Sequence, residues 1–182
     1  FTTLSSSSLS DMYTGMPVGI VYGNNISKGS WVYPVDTHRA GSNVSIVGNV
    51  IDSMSGGIEI RSQRTSVTGN IINLPIPNVY DPATAVVSGD ISYYPYHGIG
   101  VYYVDKDLVI ADNVITGGNY GIFISDAMDS SSSPSTGSNI LISNNTIKYT
   151  YGSCVGINKI NNFIINNNIM NEPGSAVTAL IR

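Results

Sequence analysis

Residues 45–62 read SIVGNVIDSMSGGIEIRS. Two short runs, SIVGNVI and GIEIRS, each alternate with a period of two, which sets Ile and Val on one face of a strand. Between them lie Asp, Ser and Gly, the residues of turns. A pair of strands alone fits many all-β folds. Recurrence of the pair along the chain separates them.

The pair recurs. The first run returns as IVYGNNI (20–26), SIVGNVI (45–51), SVTGNII (66–72), VIADNVI (109–115), LISNNTI (141–147) and IINNNIM (164–170). The second follows, often after Gly, as SWVYPV (30–35), GIEIRS (57–62), GIGVYY (98–103), GIFISD (121–126) and CVGIN (154–158). Aligned on the shared Asn, the first run gives the column Asn24, Asn49, Asn70, Asn113, Asn145 and Asn168, at spacings of 25, 21, 43, 32 and 23 residues. No segment sustains a helical 3.6-residue period for three turns.

Two short strands every 21–25 residues predict an all-β right-handed parallel β-helix of about six coils. Each coil buries its apolar face only against its neighbours. A β-sandwich has no need of one residue type at one point in each repeat, whereas a stacked turn does. An inward Asn there can bond to the Asn above and below it, so the column is scaffold. The long spacings predict insertions, one near 73–97 between the first and second runs and one near 127–139 after the second. The spacing of 43 can also be read as hiding one degenerate extra coil. The whole of 1–182 reads as one β-helix domain. The start at Phe1 and the end at Arg182, just after apolar AVTALI, read as a fragment of a longer protein.

Charged residues make up 11% of the 182, about half the usual share, and Asn, Ser, Gly and Tyr fill the deficit. Amides and hydroxyls suit a hydroxyl-rich partner such as a glycan. A net charge of −4 with eight scattered basic residues excludes a nucleic-acid footprint. No apolar run is long enough for a membrane span. One cysteine, Cys154, excludes an intrachain disulfide and reads as a small buried residue. Two His and one Cys are too few for a zinc site, no Gly-rich loop opens a helix, and no cofactor is expected.

Chemistry in a solenoid falls to outward residues and corner loops. If Ile58 and Ile60 point inward, Glu59 and Arg61 point outward, and in the next coil Gly100 and Tyr102 do so. Trp31 and Tyr33 are expected at the Ile positions of the preceding coil. The insertion near 73–97 would wall this face with Tyr93, Tyr94, Tyr96 and His97, and Tyr102 and Tyr103 follow it. The other wall would be the corner holding Asp36, Thr37, His38 and Arg39, in a coil four residues longer than the next. Counted forward from the Asn column, Asp36 falls level with Arg61 and Arg39 with Arg64. Counted backward, His38 falls level with Glu59.

Glycoside hydrolysis needs two carboxyl groups about 5 Å apart for retention or about 6.5–9.5 Å apart for inversion, and stacked coils supply such separations. Asp36 with Glu59 is the best pair, and Asp105 can join from the following coil. His38 can serve as base or tune a carboxylate. A lyase would instead use Arg61 or Arg64 to neutralise a uronate. Tyrosine offers sugars an apolar face with a polar tip.

The repeated xIxGNxI…GIxI pattern resembles the right-handed β-helix, pectate-lyase-like superfamily over nearly the whole chain. With the Asp-Thr-His triplet before the NVSIVGN strand, the Tyr-rich loop and the Ser/Asn-rich composition, it is most similar to the β-helix of bacteriophage tailspikes and related appendage proteins. That resemblance implies binding and cleavage of a host-surface polysaccharide (capsule or O-antigen), by hydrolysis or β-elimination. It also implies a homotrimer at a virion tail or outside the cell. The alternative is a glycan-binding adhesin or structural β-helix without catalysis. No cluster of Asp on consecutive coils resembles the calcium-binding set of pectate lyases, and the Tyr-Gly-Asp-Pro-His signature of mannuronan epimerases is absent.

Overall fold

The computed structural model describes residues 20–27, 33–37, 41–54, 56–74, 97–102, 107–125, 139–150, 152–158, 160 and 162–171. They form a right-handed parallel β-helix whose three sheets run the length of the stack. Sheet A holds β1 (Ile20–Tyr22), β4 (Ser45–Val47), β7 (Thr65–Thr68), β10 (Leu108–Ala111), β13 (Ile140–Ser143) and β16 (Phe163–Asn166). Sheet B holds β2 (Asn25–Ser27), β5 (Val50–Asp52), β8 (Ile71–Asn73), β11 (Val114–Thr116), β14 (Thr146–Lys148) and β17 (Ile169–Asn171). Sheet C holds β3 (Val35–Asp36), β6 (Ile58–Ile60), β9 (Ile99–Tyr102), β12 (Ile122–Ser125) and β15 (Val155–Asn158).

The first run of the repeat is thus two strands, not one. It bends between sheets A and B at the residue before the column Asn. That residue is left-handed in every resolved case, with φ of 63°, 64° and 65° at Gly23, Gly48 and Gly69 and 58°, 57° and 53° at Asp112, Asn144 and Asn167. Gly, Asn and Asp tolerate this conformation best, which is why they alternate there.

The Asn column forms the expected ladder. The Nδ2 of Asn24, Asn49, Asn70, Asn113 and Asn145 each donates to Oδ1 of the next Asn, at 3.0, 2.9, 2.9, 2.9 and 2.9 Å. The backbone N–H of each donates to the same oxygen. Asn49, Asn70, Asn113 and Asn145 are wholly buried, so these bonds satisfy groups that water cannot reach.

The core is a stack of aliphatic columns. Ile46, Val67, Ile110 and Ile142 come from sheet A, Ile51, Ile72, Ile115 and Ile147 from sheet B, and Ile58, Ile60, Ile99, Val101, Ile122 and Ile124 from sheet C; all are fully buried. At about 1.5–3 kcal/mol for each buried side chain, these columns dominate the stabilisation. Where sheet B turns into sheet C, Gly57, Gly98, Gly121 and Cys154 stack in one column. A Cβ on Gly98 would lie 2.4 Å from Ile115 Cγ2 and 2.6 Å from Gly121 O. At these three glycines the corner is too tight for a side chain, and this explains the Gly that opens the second run. Cys154 takes the last place in that column, fully buried, and burial pushes its thiol pKa up.

Both long spacings are insertions. β8 pairs directly with β11, β7 with β10 and β6 with β9, so no extra coil lies within the spacing of 43. Likewise β10 pairs with β13 and β12 with β15 across the second. The inserted segments themselves, 75–96 and 126–138, lie outside the described residues.

Candidate active site on the outer face of sheet C

Asp36 and Glu59 are direct register partners between β3 and β6, so both side chains leave the same outer face of sheet C. Neither counting expectation holds. Val35 takes the position of Ile58, where Trp31 was expected. The register follows from where the four extra residues go. Val35 follows Asn24 by eleven residues while Ile58 follows Asn49 by nine, so two are spent before β3. Ser42 pairs with Gln63, which places the other two after Thr37. Asp36 therefore stands in the strand and not in an overlong corner. Neighbouring parallel strands are about 4.8 Å apart, which is the separation of the two backbones carrying these acids.

Glu59 is 7% exposed although it points outward, and Asp36 is exposed. The cover on Glu59 is Arg61, two residues on and so on the same face. Its Nε and one terminal nitrogen donate to Glu59 Oε1 at 3.0 and 2.6 Å. With a side chain 33% exposed, Arg61 keeps this pair partly in solvent. Two charge-assisted bonds converging on one oxygen fix the direction of the carboxylate.

Thr37 sits at the heart of the site and is buried. Its hydroxyl accepts from the backbone N–H of Arg61 at 2.9 Å and of Ser62 at 3.2 Å, and from Ser62 Oγ at 2.9 Å. Its own N–H donates to Glu59 O at 3.0 Å. The middle residue of the Asp-Thr-His triplet is thus a clamp, locking the chain of Asp36 onto that of Glu59 and Arg61. Arg64 belongs elsewhere: at φ 48° it turns the corner into sheet A and donates to Asn43 Oδ1 and Ser42 Oγ. Arg64 is level with Asn43, not with Arg39 as counted.

Beyond Glu59 the outward column continues through Gly100, Phe123 and Gly156. Phe123 is ringed by His97, Tyr120 and Tyr102, with ring centroids 4.7, 5.1 and 6.2 Å away. Tyr33 reaches the same place, since a Cβ on Gly100 would lie 3.1 Å from its Oη. Burial, then the neighbouring Tyr102, push the Tyr33 hydroxyl pKa up, so it stays protonated. Burial lowers His97 to about 4, and its Nδ1 has no hydrogen-bond partner among the described residues. His97 is therefore a neutral flat ring near pH 7.

Of the residues singled out in the sequence, Asp36, Glu59 and Arg61 come together. Tyr102 and His97 join the aromatic cluster beside them, and Arg64 stands apart. His38, Arg39, Tyr93, Tyr94, Tyr96, Tyr103 and Asp105 lie outside the described residues. Thr37, Phe123 and Tyr120 went unrecognised. Phe123 was open to the same in-and-out count that exposed Glu59, since it is the outward residue of GIFISD. Thr37 carries no such signal, because its role depends on the register.

Among the described residues no group of three or more His, Cys, Asp or Glu gathers as metal ligands, and no helix is long and apolar enough to cross a membrane. No protein family, curated protein or solved structure matches this chain.

Proposed function

We propose that this chain binds a cell-surface polysaccharide, of capsule or O-antigen type, across the outer face of sheet C and hydrolyses it between Asp36 and Glu59. The observation that carries the reading is the register pairing of these two acids on one face. In this reading the protein is a tailspike-like depolymerase of the pectate-lyase-like superfamily. It acts at a virion tail or outside the cell, as a homotrimer.

Adjacent strands about 4.8 Å apart favour the retaining geometry over the wider inverting one. Asp36, the exposed acid, gives its proton to the glycosidic oxygen while the Glu59 carboxylate attacks the anomeric carbon. The C–O bond breaks, one chain leaves as an alcohol, and the other is held as a glycosyl ester. Water then gives a proton to Asp36 and displaces Glu59, releasing a new reducing end. Arg61 keeps Glu59 pointed at the sugar. Hydrolysis is preferred to β-elimination because Arg61 is engaged by Glu59, and Arg64 by Asn43 and Ser42, leaving neither aimed at a uronate.

The two-bond hold of Arg61 on Glu59 also favours a second reading, in which the pair is structural and the face only binds glycan. Incubation with a panel of capsules and O-antigens separates the two. Hydrolysis gives new reducing ends that vanish in both Asp36→Asn and Glu59→Gln. Saturable binding with unchanged polymer length gives the second reading.

A further inference from the structure

The outer face of sheet C carries a feature that the paired acids do not require. Gly100 and Gly156 flank Phe123 in register, and both are places where rings touch the backbone. A Cβ on Gly156 would lie 2.9 Å from two ring carbons of Tyr120 and 3.0 Å from Phe123 Cδ2. On Gly100 it would lie 3.2 Å from Tyr102 Cε2 and 3.5 Å from His97 Cδ2. The glycines let the rings lie against the sheet instead of standing off it. The core does not need this, because Ile122 and Ile124 on the same strand are already fully buried on the other side. Tyr102, Tyr120 and Phe123 are each only partly buried.

We infer that Phe123, Tyr102 and Tyr120 form a stacking platform for an uncharged pyranose unit, two strands along from Glu59. The platform rests on the glycan reading above and adds where, how and which sugar is gripped. A pyranose ring pairs an apolar C–H face with a hydroxyl rim, which matches aromatic faces bearing phenolic tips. Among the described residues the column after Glu59 is Gly100, Phe123 and Gly156, none of them charged, and Arg61, level with Tyr102, is held by Glu59, so these residues offer no counter-charge to a carboxylate or sulfate on that unit. Two inter-strand steps span about 10 Å, so the chain crosses the strands and runs along the solenoid axis. The unit on the platform is then some two sugars removed from the bond between Asp36 and Glu59.

Affinity electrophoresis through dextran, galactomannan and a neutral rhamnan, with alginate and polygalacturonate as acidic counterparts, tests the platform. The Glu59→Gln background keeps the polymers intact. At least one neutral polymer should retard the protein. Adding Phe123→Leu, which keeps apolar bulk but removes the ring face, should weaken that retardation about tenfold. Phe123→Trp should restore it. Tyr120→Leu serves as a second variant should Phe123→Leu fail to fold. Retardation indifferent to both variants, by acidic polymers alone, or by none of the five overturns the platform. Phe123-dependent binding without any new reducing ends in the wild type refutes hydrolysis and leaves the platform standing. Cleavage indifferent to Phe123 does the reverse.

Discussion

Asp36 and Glu59 face each other across the ladder between β3 and β6, and Thr37 holds them there by accepting three hydrogen bonds from Arg61 and Ser62. One buried hydroxyl thus reinforces the backbone ladder that pairs the two acids.

Thr37→Val removes that acceptor while keeping the shape. The backbone N–H groups of Arg61 and Ser62 then lose this acceptor in a dry place, while the Ser62 hydroxyl keeps Thr65 Oγ1, at a cost of about 1–3 kcal/mol. Thr37→Ser should recover most of it. Chemical denaturation of the three proteins measures this, and equal midpoints would remove the clamp.

Asn70 accepts from Asn49 and donates to Asn113 and to Ile46 O in the interior, and to Thr68 O at its edge. Asn70→Ala should lower stability by about 3 kcal/mol or more, since several buried partners are orphaned together. Asn24→Ala, at the exposed start of the column, should cost about 1 kcal/mol or less. Similar losses at both positions would show that the ladder is not the seam joining the coils.

The two kinds of glycine should respond in opposite ways. Gly98→Ala drives a Cβ into Ile115 and the Gly121 carbonyl, and its neighbours are backbone and core. It should cost several kcal/mol or prevent folding. Gly69 has open space but φ +65°, so its constraint is conformational. Asp112 and Asn144 occupy the equivalent point of later coils, so Gly69→Asn should stay within about 0.5 kcal/mol of the wild type. Thermal unfolding ranks the two.

His97 couples the aromatic cluster to pH. Burial lowers it from 6.5 to about 4, so between those values the unfolded chain binds a proton that the folded chain does not. Its contribution is full above pH 6.5, falls as the pH drops, and levels off below about 4. The loss is on the order of 3 kcal/mol. His97→Phe should flatten this part of the stability curve between pH 7 and 4.5. An unchanged slope would place the titrating group elsewhere.

The scaffold was legible because stacking forces repetition. Asn49, Asn70 and Asn113 sit at one point of successive coils, and a column of identical amides has no other economical explanation. The bend at Gly48-Asn49 was not legible, since a strand turning a corner keeps its alternation on both sides. Glu59 and Arg61 could be placed outward by counting from Ile58 and Ile60. Asp36 could not, because four surplus residues had to be divided between two loops, and only the pairing of Val35 with Ile58 and of Ser42 with Gln63 divides them. Thr37 was hidden for the same reason.

The proposed hydrolysis puts glycosidic bond cleavage between Asp36 and Glu59. The direct measurement is proton NMR of the first products from a capsule or O-antigen that the wild type shortens, alongside Asp36→Asn and Glu59→Gln. The prediction is retained anomeric configuration, with cleavage falling by at least about a hundredfold in each variant. Full activity in both variants, or an unsaturated product at the new end, would contradict it.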